Sequence, residues 1–305
     1  MIQVFGHKAP DTDATGSAIV WAWYLSEVRG TPAEPRLLGT PNTEAAFVLD
    51  RWNQAQPPII DDVAEGDEVV IVDTNNPAEL PASVNHADIL EIIDHHLLVG
   101  GIKTRAPINI TVRPLACTAT IMADLMGTDL AQVPAELKGV MLSCILSDTL
   151  EFRSPTTTDH DKAWAEKLAA ELGVDIPDYA GEMFAAKSDV SAFSDAELLR
   201  MDSKEYEVSG TSFRVSVLET TSPGIVLDRK GSLMESMASV AREDGVDQVL
   251  LFVVDILNEE SIMLIPNDLT RTVAQKSFGV ETAGDSVVLP GVVSRKKQII
   301  PNLAV

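Results

Sequence analysis

The chain has 305 residues, enough for about two domains of ~100–200 residues and a real hydrophobic core, which excludes a peptide hormone or a disulfide mini-scaffold. Hydrophobic residues make up 45% and charged residues 23%, the balance of a folding chain rather than a disordered one. Only 23 Lys and Arg face 46 Asp and Glu, and the formal charge of -23 repels phosphate backbones and anionic lipid, so no nucleic-acid or membrane partner is expected.

The opening Met1-Ile2-Gln3-Val4-Phe5 carries no basic leader, and a cytoplasmic location is expected. Three short β-branched runs in the first half end in acidic or histidine clusters. Residues 2–5 lead into His7 and Asp11, residues 69–72 into Asp73, and residues 89–93 into Asp94-His95-His96. Helix-like stretches at 15–28, 135–145 and 161–172 lie among them, the last closing on Gly173. Asp148 is then expected just past a helix or in its last turn. This alternation predicts parallel βαβ units with helices on both faces of one sheet, and ligands in such sheets bind at the carboxyl ends of the strands.

Around residues 187–196 the chain turns small and polar, which reads as a linker or hinge at 188–196 between a domain of residues 1–187 and a smaller α/β domain of 197–305. Up to residue 190 there are 12 basic and 29 acidic residues; all five histidines fall there too, so this half looks built for cations. The apolar run 249–254 stops at Asp255, far short of the ~20 residues of a membrane helix. Cys117 and Cys144 lack the spacing of a zinc knuckle or redox dithiol and read as two buried thiols.

Gly6-His7-Lys8-Ala9-Pro10-Asp11-Thr12-Asp13 is a polar turn that also offers three donors to a divalent ion. Asp73 and Ser147-Asp148 each read alone as a cap. Asp94-His95-His96 is the stronger signal, since adjacent imidazoles need polar partners or a metal, and the Asp can orient one of them. Together these residues suffice for two metal ions sharing a carboxylate and activating a bridging water for phosphoryl transfer. Mixed imidazole and carboxylate donors suit Mn²⁺ or a neighbouring first-row ion. Ser294-Arg295-Lys296-Lys297-Gln298 reads either as a charged edge strand or as a phosphate clamp, with Lys204 a further candidate cation. His86 and His160 read as surface residues.

At these residues the chain resembles the DHH phosphoesterases, specifically the family II, or manganese-dependent, inorganic pyrophosphatases. The likeness runs through residues 6–13, Asp73, Asp94-His95-His96, Cys117-Thr118-Ala119-Thr120, Ser147-Asp148, Ser154-Pro155-Thr156 and the Ser-Arg-Lys-Lys-Gln motif. The resemblance implies an N-terminal DHH metal domain and a C-terminal DHHA2-type phosphate-binding domain with the active site in the cleft between them. It implies metal ligation by His7, Asp11, Asp13, Asp73, His95 and Asp148, with Asp73 bridging. Phosphate contacts are implied for His96, Lys204, Arg295 and Lys296, and more weakly for Lys297. The implied reaction is hydrolysis of pyrophosphate to two orthophosphates. The cofactors would be two Mn²⁺ (or Co²⁺) ions per subunit, a further Mg²⁺ would arrive with substrate, and the assembly would be a homodimer through the N-terminal domain. Rival readings are a DHH-type phosphodiesterase or exopolyphosphatase, and a non-catalytic metal- or phosphate-binding regulator. Where the family reads Asp-His-Asn, this chain has Asp73-Thr74-Asn75, keeping the ligand and losing the imidazole.

Overall fold

Five short strands build the first sheet: β1 (Ile2–Phe5), β2 (Ala33–Pro35), β3 (Glu68–Val72), β4 (Asp88–Asp94) and β5 (Asn109–Val112), in the order β2-β1-β3-β4-β5 and parallel throughout. A parallel sheet buried on both faces needs near-continuous apolar strands, which is what Val69, Val70, Ile71 and Val72 supply. The register of β4 against β3 shifts by one residue at Leu90. The computed structural model describes residues 1–305, which divide into two units, Met1–Ala186 and Lys187–Val305.

In the first unit α1 (Thr12–Trp23), α2 (Thr43–Arg51), α3 (Thr118–Met126), α4 (Ala135–Asp148), α5 (Asp159–Leu172) and α6 (Ile176–Lys187) supply the helical cover. Val4, Val70, Val72 and Ile93 pack with α1, α3, α4 and α5 in one core. A second core gathers Phe5, Val69, Ile71, Ile89 and Ile92 with Leu80 and Val84. Two 3-10 turns, Pro77–Glu79 and Val84–His86, adjoin this second core.

Helix boundaries differ from the sequence reading for reasons of capping. Asp11 accepts from the Ala14 amide, so α1 starts at Thr12 rather than 15, and it runs on as a π-helical segment, Tyr24–Val28. Thr158 and Asp161 form a capping box that starts α5 at Asp159. Helix α4 continues beyond 145, which puts Asp148 in its last turn.

The second unit carries β6 (Ser203–Val208), β7 (Thr211–Thr220), β8 (Gln248–Asp255), β9 (Glu260–Leu264) and β10 (Ser286–Pro290), ordered β10-β9-β8-β7-β6. Only β7 and β8 pair in parallel. Strand β8 is buried along its length and feeds both cores by alternation: Val249, Leu251 and Val253 on one side, Leu250, Phe252 and Val254 on the other. Helices α7 (Asp195–Met201), α8 (Pro223–Leu227) and α9 (Lys230–Asp244) contribute to the first of these cores, α10 (Asp268–Phe278) to the second. The basic triple is not an edge strand: Arg295–Ile299 is one π-helical turn.

Helix α7 begins inside the stretch expected to be linker, capped by Ser194. The residues before it are tied to the second unit. Ser188 Oγ meets the hydroxyls of Thr220 and Thr221, and Arg229 donates to the carbonyls of Val190 and Phe193 and to Asp195. No helix is long and apolar enough to cross a membrane.

Candidate metal centre

The chain leaves β1 at Phe5 and must turn at once against the start of α1. At Gly6 an added Cβ would stand 2.7 Å from Ala14 Cβ, so only glycine allows the approach. That turn sets His7 before α1, Asp11 at its N-cap and Asp13 in its first turn. Asp73 follows β3 with φ +59°, a left-handed conformation that Asp tolerates better than most residues, while its amide still donates to the Ile93 carbonyl. His95 and His96 follow β4, and Asp148 arrives from α4.

These residues converge. Asp73 Oδ2 lies 3.5 Å from His7 Nε2, which lies 3.5 Å from Asp11 Oδ2. Asp73 Oδ1 lies 3.3 Å from His95 Nε2 and 3.8 Å from His96 Nδ1. His95 Nε2 is also 3.9 Å from Asp148 Oδ2. One carboxylate, 2% exposed, therefore faces a separate donor group with each oxygen.

Neighbouring groups hold the donors in orientation. The Leu115 carbonyl lies 3.2 Å from His95 Nδ1, where it can accept that nitrogen's N–H and leave the Nε2 lone pair for the site. Asp94 accepts from His96 Nδ1 at 2.9 Å and from the His96 amide at 3.0 Å. At the start of α3 the Thr118 amide donates to Asp13 Oδ2 at 2.7 Å and its hydroxyl to Asp73 Oδ1 at 3.0 Å. Asn75 donates to Asp94 and to the Leu97 carbonyl, and accepts from the Val99 amide. Thr74 donates to Glu79 at 2.7 Å, and the Glu79 carbonyl accepts from the Lys8 amide.

The electrostatics are those of an anionic pocket. Burial disfavours a charged ring at His7, but Asp11 and Asp73 outweigh it and raise its pKa to about 10. His95 rises to about 9 for the same reason, burial opposing and Asp73 and Asp13 prevailing. Burial, then the charge of Asp73, lifts Asp13 to about 6. Burial and the charges of Asp13, Asp73 and Asp11 push Asp148 well above the carboxylate range. Asp73 moves down: burial opposes, and His7 and His95 overcome it.

Such a pocket calls for a cation. Asp148 Oδ2 is buried with no hydrogen-bond partner, and three donor groups each lie within 4.8 Å: His7, Asp11 and Asp73; Asp73, His95 and His96; Asp13, Cys117 and Asp148. Oxygen and imidazole donors of this kind fit Mn²⁺ or Co²⁺. Both cysteines are free and buried, and burial together with nearby carboxylates raises both thiols. Reading the sequence missed the hydrogen bonding of Thr118 and Asn75, although both lie inside motifs it singled out.

In the second unit Arg295 donates to the Asp202 carbonyl at 2.7 Å and to Asp202 Oδ1 at 2.6 Å, two residues before Lys204 on β6. Lys204, Lys296 and Lys297 are exposed. Gln298 accepts from the amides of Val293 and Ser294 at 2.9 Å and donates to the Gly291 carbonyl, wrapping the loop that carries the basic residues. His86 is exposed; His160, also exposed, pairs with Asp124 at 2.9 Å.

Residues 1–147 match the DHH family, N-terminal domain, and residues 181–304 the DHHA2 domain. A relative from Deinococcus radiodurans is 40% identical over 309 residues, covering 99% of this chain and 98% of its own. One from Bacillus licheniformis is 36% identical over 303 residues, covering 99% and 97%. Each is named "probable manganese-dependent inorganic pyrophosphatase". A crystal structure titled "Methanococcus jannaschii putative family II inorganic pyrophosphatase" superposes with a TM-score of 0.63 at 34% identity, covering 99% of this chain and 98% of that one. Fold and site thus define a two-unit DHH protein with a DHHA2 domain. The chain belongs to the family of manganese-dependent inorganic pyrophosphatases.

Proposed function

We propose that this chain hydrolyses inorganic pyrophosphate to two orthophosphates. The observation that carries the reading is Asp73, whose two oxygens face His7 and Asp11 on one side and His95 on the other, in a chain whose relatives are named pyrophosphatases. We assign His7, Asp11 and Asp73 to one ion and Asp13, Asp73, His95 and Asp148 to a second. Two Mn²⁺ or Co²⁺ ions held there would polarise phosphoryl oxygens and acidify the attacking water, with a further Mg²⁺ entering on the substrate.

The protein's own groups orient the substrate and balance its charge. The hydrogen bond to Asp94 raises the His96 pKa, which favours the charged form of the ring assigned to phosphate. Arg295, Lys296 and Lys204 neutralise the phosphoryl oxygens as charge spreads over them. Asp202 takes two donors of Arg295 and orients the guanidinium, leaving its other N–H groups for phosphate. We infer a hinge in the stretch that links the two units. The ties of Ser188 and Arg229 favour a bend near Lys187, ahead of residues 188–193.

Strand β5 is an edge with unpaired backbone on one side and with Ile110 56% and Val112 37% exposed. An apolar sheet edge left open invites another strand, and we assign it to a second copy of this chain, making a homodimer through the first unit. Two free thiols suit a reducing compartment and support the cytoplasm as its location.

The test is orthophosphate release by metal-stripped protein reloaded with Mn²⁺, Co²⁺, Mg²⁺ or Zn²⁺, with a dinucleotide and a long-chain polyphosphate in parallel. Fast release from pyrophosphate alone, strongest with Mn²⁺ or Co²⁺, is expected. Cleavage of either other substrate with silence on pyrophosphate overturns the reading.

A further inference from the structure

Behind the candidate ligands, one wholly buried carboxylate ties together the segments that carry them. Glu44, in the first turn of α2, is 0% exposed. Its Oε2 accepts from Thr12 Oγ1 at 2.9 Å and from Ser147 Oγ at 2.6 Å. Thr12 stands between Asp11 and Asp13, and Ser147 directly precedes Asp148. One turn back on α4, Cys144 sends its S–H to the Thr12 carbonyl at 3.3 Å. Thr12 is therefore held through its side chain and its backbone, in each case by a group linked to α4.

We propose that Glu44 is a positioning residue for the metal centre. By gathering Thr12 and Ser147 on one oxygen it sets the distance between Asp148 and the start of α1, where Asp11 and Asp13 stand. The inference rests on reading Asp11, Asp13 and Asp148 as ligands. A charge placed only to fill this space would be a poor choice, because burying a carboxylate is costly and an apolar side chain packs as well. A metal centre demands something packing does not supply, namely donors held to within ~0.5 Å by hydrogen-bonded groups behind them. Thr12 and Glu44 are 32 residues apart and Glu44 and Ser147 are 103, so no local structure fixes this spacing.

The test uses the full chain, stripped of metal and titrated with Mn²⁺ alone, free Mn²⁺ being read by electron paramagnetic resonance. Glu44→Ala is expected to weaken binding about 10- to 100-fold. Thr12→Val and Ser147→Ala should each weaken it, and the pair by less than the product of the two, since both act through one oxygen. Glu44→Gln keeps a carbonyl oxygen that can accept both hydroxyls and should hold affinity within ~3-fold of the parent. Multiplicative losses, equal losses for Gln and Ala, or unchanged binding throughout overturn the inference. If Glu44→Ala does not fold, Thr12→Val and Ser147→Ala carry the test alone. Failure of the ligand reading looks different: the parent then binds no stoichiometric Mn²⁺, or Asp148→Asn binds it as well as the parent, and both readings fall.

Discussion

Asp73 concentrates the chemistry of the site in one side chain. Its left-handed backbone turns the carboxylate so that His7 and His95 reach opposite oxygens, while Thr118 anchors Oδ1. Replacing it with Ala removes a donor from both groups, whereas Lys297 is an exposed cation with no part in them. Asp73→Ala should thus lower turnover of pyrophosphate by more than the ~100-fold typical of an outer partner, and Lys297→Ala by only a few-fold. Comparable losses in a steady-state assay would sink this division of roles. Protonation belongs to the same scale. With pKa values of about 10 and about 9, His7 and His95 carry protons at pH 8 when no metal is bound, and a ligating ring must give its proton up. Mn²⁺ loading at pH 8 should release protons, measurable by calorimetry in buffers of different ionisation enthalpy, and affinity should rise with pH up to about 9 to 10. The sign for stability is opposite. A raised imidazole pKa stabilises the metal-free fold fully below the unfolded value near ~6.5, and this contribution fades as pH climbs through about 9 to 10.

Helices α1 and α4 bring Asp13 and Asp148 together because their backbones approach closely. A Cβ on Gly16 would stand 2.4 Å from Cys144 Sγ and 2.8 Å from Val140 Cγ1. Gly16→Ala should therefore destabilise the protein by about 1–3 kcal/mol despite better helix propensity. Chemical denaturation of Gly16→Ala, alone and with Cys144→Ala, checks this: the second change should recover part of the loss by making room. A Gly16→Ala variant as stable as the parent would mean that α4 shifts freely and that its contact with α1 does not set the position of Asp148. Helix limits show the same dependence on detail. The apolar pattern marked α1 and α4 but not their ends, because Asp11 at the N-cap and the added turn through Asp148 depend on single side chains rather than on periodicity.

For the whole molecule, the two sheets solve different problems. The parallel sheet of the first unit lines up strand ends so that loops after β1, β3 and β4 meet at one site. The mixed sheet of the second unit supports the turn of Arg295 and the edge strand of Lys204. If β5 is the seam of a dimer, Ile110→Lys with Val112→Lys should convert a dimer to a folded monomer. Sedimentation at micromolar concentration reads the outcome, and a monomeric parent would remove the assignment.

The sequence by itself determined the parallel α/β character of the first half, the strand-end placement of His7, Asp73 and Asp94-His95-His96, and the family. These are legible because β-branched runs, polar strand ends and short motifs are local patterns, complete within a few residues. Asp148 alone reads as a helix cap and joined them only as part of the whole set and through the family resemblance, and nothing in the sequence showed that Arg295 sits on a helical turn paired with Asp202. Only the tertiary structure decided the meeting of Thr118 with Asp13 and Asp73, and of Glu44 with Thr12 and Ser147. The physical reason is distance along the chain. Hydrogen bonds spanning 32 to 105 residues leave no periodic trace, and they exist only where helix packing brings buried donors and acceptors within reach.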